Sequence, residues 1–339
     1  MCETLESRRC LAGNVMASVT NGELLVKGDA AANNVEIRQI ATPSSQGEWP
    51  GYSYKIIGRN TTINNVPPSS HVGNTSFSIV TVEGVKSGMC VFLAAGDDIL
   101  RVTRPNVGRA NVPGTVRIVM GNGEDQATLY MANHQKVNIE MGGDADGLSL
   151  NSSIVKALTV ETDASPSPPA GAEKSYADGA DSVYANALTA TGAVSINTGG
   201  RDDVVNMGFG HLSGAITVET NWGNDTCALG ERIEGAFSAN CSITAKTGSG
   251  KDILAVTVSA GTFVLSSGDG DDEVSVGLDH GNTTPAKSLT VWLSRGNDSL
   301  TVRPASGEFA RFDGGFGNDT ISGEENAEFD SLVIANFES

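Results

Sequence analysis

The sequence predicts an all-β chain: a right-handed parallel β-helix of about ten repeated coils behind an N-terminal strand-rich cap. Three observations carry that expectation. A Gly-rich corner of the form Gly-x-Asp-x-(apolar) recurs with its aspartates at Asp98, Asp125, Asp146, Asp181, Asp203, Asp225, Asp252, Asp272, Asp298 and Asp319. The steps between them are 27, 21, 35, 22, 22, 27, 20, 26 and 21 residues, so one supersecondary unit is stacked repeatedly. Apolar residues alternate with period two on both sides of each corner, and no segment carries a convincing helical period.

Each unit can be justified in turn. Two and four residues after the corner Asp stand pairs such as Leu100 and Val102, Leu148 and Leu150, or Val274 and Val276. Nine and seven residues before it stand Val116 and Ile118, Val137 and Ile139, Val194 and Ile196, or Ile216 and Val218. Two half-buried strands joined by a tight turn follow from that pattern. Ile118, Ile139, Ile196, Val218, Leu265 and Val291 share one position and are expected to form a single interior row. Two corners are imperfect, with Asp144 and Arg201 in the place of Gly.

The step of 35 contains an insert. Leu158 and Val160 occupy the usual strand positions, and the stretch around Thr162 to Tyr176, rich in Pro, Ser and Ala, is expected to be a surface loop. The chain divides at about residue 86. Residues 1–86 hold strand-like runs without an aspartate corner and are expected to cap the repeats or to form variant coils. Residues 87–339 carry the repeats, with the insertion at 162–176. Capping matters because an open sheet end presents unpaired N–H and C=O groups.

Composition narrows the function. Glycine is abundant, at 41 of 339 residues, and aromatics are scarce at 5%, as sharp corners and a Val, Ile, Leu and Ala interior require. A net charge of −18 disfavours nucleic acid and anionic lipid, and favours solubility or affinity for cations. No apolar run is long enough to span a membrane, and no basic-then-apolar leader precedes the repeats. The protein is therefore expected to be cytosolic, or a mature or truncated form, or exported by another route. Five cysteines, an odd count, leave at least one free or intermolecular thiol. Cys227 falls on core parity and Cys90 on outward parity, whereas Cys2 and Cys10 are close enough in sequence to pair. The four histidines, His71, His134, His211 and His280, occupy unrelated unit positions and give no metal site. Nucleophile-elbow, Walker-type, CxxC and HExxH motifs are lacking from the sequence.

The corner Gly314-Gly315-Phe316-Gly317-Asn318-Asp319-Thr320-Ile321-Ser322 matches the G-G-x-G-x-D-x-U-x repeat of hemolysin-type, RTX-like calcium-binding proteins at every specified position. Thr247 to Leu254 and Ser267 to Val274 match all but its first Gly. With one such corner per long coil, the arrangement also resembles large secreted and surface repeat proteins of planctomycete bacteria. Those often begin with an L-E-x-R-x-L-L-A segment, and Leu5-Glu6-Ser7-Arg8-Arg9-Cys10-Leu11-Ala12 is similar, with Cys10 in place of the first Leu of the pair. The resemblance implies a β-helix and a secreted or cell-surface location. RTX proteins cage each Ca²⁺ between two back-to-back nine-residue motifs. Here one motif occurs per coil, so half of each cage is missing.

Two residue sets are candidate sites. Corner aspartates stacked about 5 Å apart would repel by about 0.8 kcal/mol per pair even in water. Backbone N–H donation in Asx-type turns would offset this, and so would Ca²⁺, a hard cation seeking six to eight oxygens. The calcium candidates are Asp98, Asp125, Asp203, Asp225, Asp252, Asp269, Asp272, Asp298 and Asp319, with the doubly acidic corners Asp202-Asp203 and Asp269 to Asp272 foremost. The second set is an outward column six residues before each corner, including Glu140, Glu161, Asn197, Glu219 and Lys246. Carboxylates beside a basic residue are the equipment of polysaccharide-cleaving β-helices. A solvated strand face with cross-strand pairs explains the same residues without chemistry.

The sequence therefore predicts a structural, self-assembling or adhesive protein of the cell exterior, a fibre or matrix subunit with calcium as an optional stabiliser and itself as partner. The alternative is a carbohydrate-binding or polysaccharide-degrading protein in which Glu140, Glu161, Glu219 and Lys246 act on a surface polysaccharide.

Overall fold

Alternation of apolar and polar residues becomes alternation of buried and exposed ones. In the strand Thr115–Asn122, Val116, Ile118 and Met120 are buried while Thr115 and Arg117 face solvent. A computed structural model of the chain describes residues 12–41, 51–66, 70–72, 75–104, 109–132, 135–163, 179–231, 241–257, 261–277 and 286–338. The architecture is all-β, with two long, mostly parallel sheets of 14 and 17 strands. Among the described residues the only helical element is a short 3-10 turn, Glu324–Asn326.

From Gly88 onward the chain alternates between the sheets. Strands leading to a corner, such as Ser242–Ser249 and Gly261–Asp269, lie in the first sheet, and strands leaving it, such as Ile253–Thr257 and Glu273–Gly277, lie in the second. Each strand pairs in parallel with its equivalent in the next repeat. The interior row runs in register through Val26, Val91, Ile118, Ile139, Val160, Ile196, Val218, Ala245, Leu265, Val291 and Phe312. All eleven are buried. The six residues expected to share a row therefore do so. On the second sheet the facing row contains Leu100, Ala127, Leu148, Val183, Val205, Cys227, Leu254, Val274 and Leu300.

The N-terminal segment is partly a repeat of the same kind. Glu23–Lys27 pairs in parallel with Gly88–Phe92, and Asn34–Ala41 pairs in parallel with Ile99–Thr103. Antiparallel strands then intervene: Tyr52–Arg59 pairs with Asn34–Ala41 on one side and with Thr75–Val85 on the other. The described residues before 87 thus combine one variant repeat with a meander.

Thr162, placed by sequence at the start of the inserted loop, is buried, and its hydroxyl donates to the Thr198 carbonyl at 3.0 Å. The rest of the expected loop beyond Asp163 lies outside the described residues, as do Cys2, Cys10 and the Leu5 to Leu11 segment. At the far end, Ala327–Ala335 pairs with Ala305–Asp313 and forms the outer edge of the first sheet. Leu332, Val333 and Ile334 on it are 37%, 39% and 42% exposed. Among the described residues no helix is long and apolar enough to cross a membrane.

Candidate functional site

Two residues before nine of the ten aspartates, all but Asp181, the backbone takes a positive φ. At Gly250 it is 140°, and a Cβ there would lie 1.7 Å from the Gly223 carbonyl oxygen, so only glycine fits. The two imperfect corners escape by changing geometry. Asp144 and Arg201 both sit at φ 75°, a left-handed conformation that a side chain tolerates at some cost.

These turns aim the corner aspartates inward. All ten are buried, at most 3% exposed. Each backbone N–H from Asp98 to Asp298 donates to Oδ1 of the next aspartate in the series, at 2.7 to 2.9 Å. The carbonyl of each of these aspartates accepts the N–H that follows the next one, at 2.8 to 2.9 Å, as between Thr226 and Asp203. The carboxylate therefore replaces a main-chain acceptor where the strand-to-strand ladder turns the corner. This differs from the Asx-type turn expected from Gly-Asn: the donor belongs to the neighbouring repeat, not to the aspartate's own turn. Burial also removes the assumption of carboxylates facing one another through water.

The series has a cap at each end. Asn33 donates its backbone N–H to Asp98 Oδ1 at 2.6 Å, and its side-chain amide to the same oxygen at 3.1 Å. The Asp319 N–H donates to Glu338 Oε2. Asn33 was legible in the sequence, because Val35 and Ile37 follow it at the same +2 and +4 spacing that follows the corners from Asp98 to Asp298.

Two further columns flank the series. Five residues before the aspartate stand Leu93, Met120 and Met141 at the first three corners, and Thr198, Thr220, Thr247 and Ser267 at Asp203, Asp225, Asp252 and Asp272; all are buried. Thr220, Thr247 and Ser267 donate to carbonyls of the following repeat at 2.9 to 3.1 Å. Immediately before the aspartate runs an exposed row. Asn224 donates its N–H to Asp202 Oδ1 at 2.8 Å, Lys251 to Asn224 Oδ1 at 2.9 Å, and Asn297 to Asp271 Oδ1 at 2.8 Å. The outer carboxylates of the doubly acidic corners are thus engaged by the next repeat.

Burial dominates the acidity of the inner row, because a carboxylate loses its hydration there. It pushes Asp98 up to about 8, Asp125 to about 7, Asp146 to about 9, Asp203 to about 8 and Asp298 to about 7. Asp225 and Asp272 rise only to about 6. Asp252 and Asp319 are raised as well. Hydrogen bonds from the adjoining repeat oppose the shift throughout. The Thr198, Thr220, Thr247 and Ser267 hydroxyls oppose it further at their corners. The Oδ2 atoms of Asp203, Asp225, Asp252 and Asp272 lack a partner of full hydrogen-bond geometry. At Asp98, Asp125 and Asp146 no such hydroxyl opposes the shift, and Oδ2 again has no partner.

Single file is not a cage. Among the described residues, no group of three or more His, Cys, Asp or Glu side chains is arranged to hold a metal ion. Asp269 stands apart from the buried row: it is exposed, 3.8 Å from Arg295.

The outward column also assembles in register, as Phe92, Val119, Glu140, Glu161, Asn197, Glu219, Lys246, Ser266, Trp292 and Asp313. Its carboxylates are engaged by cations in exposed pairs: Arg117 to Glu140 at 3.0 Å and Lys246 to Glu219 at 2.8 Å. Glu161 lies between Glu140 and Asn197. A groove of about 630 Å³ opens elsewhere, over the second sheet, between Asp97, Glu124, Gln126 and Tyr184.

Among the described residues Cys90, Cys227 and Cys241 form no disulfide. Cys227 is buried, as its parity implied, and Cys90 is half-buried beside Glu23, with Sγ 3.2 Å from Oε1. No protein-family model, curated protein or solved structure matches this chain.

Proposed function

We propose that this chain is a structural parallel β-helix of the cell exterior, a stiff rod that associates with further copies of itself. The observation that carries the proposal is the inner aspartate row. A series of carboxylates that a catalyst would direct at substrate is buried and joined repeat to repeat, from the Asn33 cap to the Glu338 cap. Every donor in it is main chain of the neighbouring repeat, apart from the Asn33 amide at one end. Such a scheme resists sliding and bending of one repeat on the next. The external location follows the resemblance to secreted repeat proteins, and the net charge of −18 suits a soluble surface.

Association would use the edge strand Ala327–Ala335, whose Leu332, Val333 and Ile334 are exposed and whose outer backbone groups suit a further parallel strand. Calcium belongs to the proposal at the doubly acidic corners, where Asp202 or Asp271 adjoins a buried carboxyl. Electron microscopy and analytical ultracentrifugation, with and without calcium, test all of this together. Elongated particles that associate end to end are expected, reduced to monomers by Val333→Lys. Compact particles would end the rod, and association unchanged by Val333→Lys would move the interface. Millimolar calcium is expected to raise Tm, because a ligand of the folded state stabilises it by mass action. A Tm equal in calcium and in chelator would leave the corners as hydrogen-bonded turns.

A further inference from the structure

Three residues before each corner lies another in-register column, and its exposed side chains form a sequence of their own. Gly200, Trp222, Ser249, Asp269, Arg295 and Phe316 are successive parallel partners. Trp222 is 73% exposed and Phe316 77% exposed, in a chain where aromatics are scarce. Four strand spacings separate them, about 19 Å along the stack. Between the two rings stand Ser249 and the exposed Asp269–Arg295 pair.

At the Phe316 end the strip deepens. A groove of about 410 Å³ runs between Trp292 and Phe316, over Asp269, Arg295, Asp313 and Asn336. Trp292 is held in place: the Arg311 guanidinium lies 4.6 Å from its ring centroid, and Asp313 fixes that guanidinium at 2.7 Å. Asn336 donates to the other Asp313 oxygen at 2.7 Å. Burial would raise the Asp313 carboxyl, but the Arg311 and Asn336 hydrogen bonds outweigh it and keep it below the ordinary value.

We infer that this strip binds an extended, neutral polysaccharide chain lying along the stack, with Trp222 and Phe316 as stacking platforms, Trp292 as a third, and Ser249, Asp269 and Arg295 meeting hydroxyl groups between them. A pyranose ring offers a flat C–H face to an aromatic ring and a rim of hydroxyls that both donate and accept. Carboxylate and guanidinium groups answer that rim, one accepting and the other donating. A linear ligand suits a linear site whose rings are repeats apart. Flat protein partners suit it poorly, since hydrated charges interrupt the apolar area. Acidic glycans and nucleic acid are disfavoured by Asp269, Asp313 and the net charge of −18. The Glu140 to Lys246 column is not required, and binding is independent of whether the rod assembles.

The test is a fluorescence titration of the full chain with cellohexaose, laminarihexaose and xylohexaose, following tryptophan emission, with hexagalacturonate as the acidic comparison. At least one neutral hexasaccharide is expected to give a saturable shift, and hexagalacturonate weaker binding or none. Trp222→Ala and Phe316→Ala should each weaken binding about tenfold. Both side chains are exposed, so Tm should not change, which separates lost contact from lost fold. Absence of binding by all three neutral sugars overturns the inference. So does binding that survives either substitution.

Discussion

The first three corners and the middle four share one hydrogen-bond scheme and differ in a single buried neighbour. At Asp98, Asp125 and Asp146 the residue five positions upstream is Leu93, Met120 or Met141; at Asp203, Asp225, Asp252 and Asp272 it is Thr198, Thr220, Thr247 or Ser267. The apolar-lined carboxyls rise to between about 7 and about 9, whereas Asp225 and Asp272 stop at about 6. Asp203 shows that one hydroxyl does not always suffice. It stays at about 8 beside Thr198, with Asp181 and Asp225 both pressing on it. Burial sets the cost of the charged form, and a neighbouring dipole returns part of it. Near pH 7 the same kind of corner therefore holds Asp98 and Asp146 largely neutral and Asp225 and Asp272 mostly ionised.

The largest effect should come from removing the acceptor. Asp146→Ala leaves the Asp125 N–H without a partner, and Asp225→Ala does the same to the Asp203 N–H. An orphaned buried donor costs about 1–3 kcal/mol, so both variants should lose that much in denaturant unfolding. Asparagine sharpens the comparison, since its amide oxygen keeps the acceptor while removing titration. At pH 8, Asp225→Asn should be as stable as the parent or more so, because it discards a buried charge. Asp146→Asn should change stability little at that pH, because it replaces a carboxyl that is still mostly neutral. Equal responses of the two Asn variants from pH 5 to 9 would erase the distinction between the regions.

A smaller effect, with a clear sign, belongs to the hydroxyls. A carboxyl whose folded pKa is raised binds its proton more tightly when folded, so its contribution is full below the unfolded value near 4 and is lost as pH rises to the folded value. Loss between about pH 4 and 6 belongs to Asp225 and Asp272, and loss continuing to about pH 9 belongs to Asp146. Thr220→Val keeps the shape and removes the hydroxyl that donates to the Thr247 carbonyl. It should cost about 1 kcal/mol and extend the Asp225 window upward in pH. A pH profile of stability identical to the parent's would show that the hydroxyl has no part in setting that carboxyl.

Much of the repeat was legible because period-two alternation and Gly corners are local signals. The interior row from Ile118 to Val291 needed only spacing, and so did the outward row from Glu140 to Lys246. What escaped was inter-repeat chemistry. Whether a corner aspartate points inward depends on a backbone φ that the sequence records only as Gly, and its hydrogen-bond donor lies 20 or more residues away, as Asp203 does from Asp225. Asn33 escaped because it is not an aspartate, although its backbone N–H donates to Asp98 as each corner N–H donates to the next carboxylate. Thr162 escaped because it adjoins a Pro-rich insert, although its hydroxyl belongs to the buried column.

The smallest effect separates the hydrogen bond from its burial. The exposed row copies the inner one: Asn297 gives Asp271 Oδ1 its N–H at 2.8 Å and its side-chain amide at 3.2 Å, one position away from the buried Asp272 to Asp298 contact. In the first region Glu124 gives its N–H to Asp97 at 3.2 Å in the same way. Water can replace either partner, so neither leaves an orphan when removed. Asp271→Ala should therefore cost no more than about 0.5 kcal/mol, against about 1–3 kcal/mol for Asp272→Ala, although the two carboxylates accept the same kind of donor. Asp97→Ala should be as mild as Asp271→Ala, because lining the interior with Met or with Thr makes no difference to a row in solvent. Chemical unfolding of the three variants at one pH decides it. A loss at Asp271 equal to that at Asp272 would mean that the outer row, and not burial, is what joins one repeat to the next.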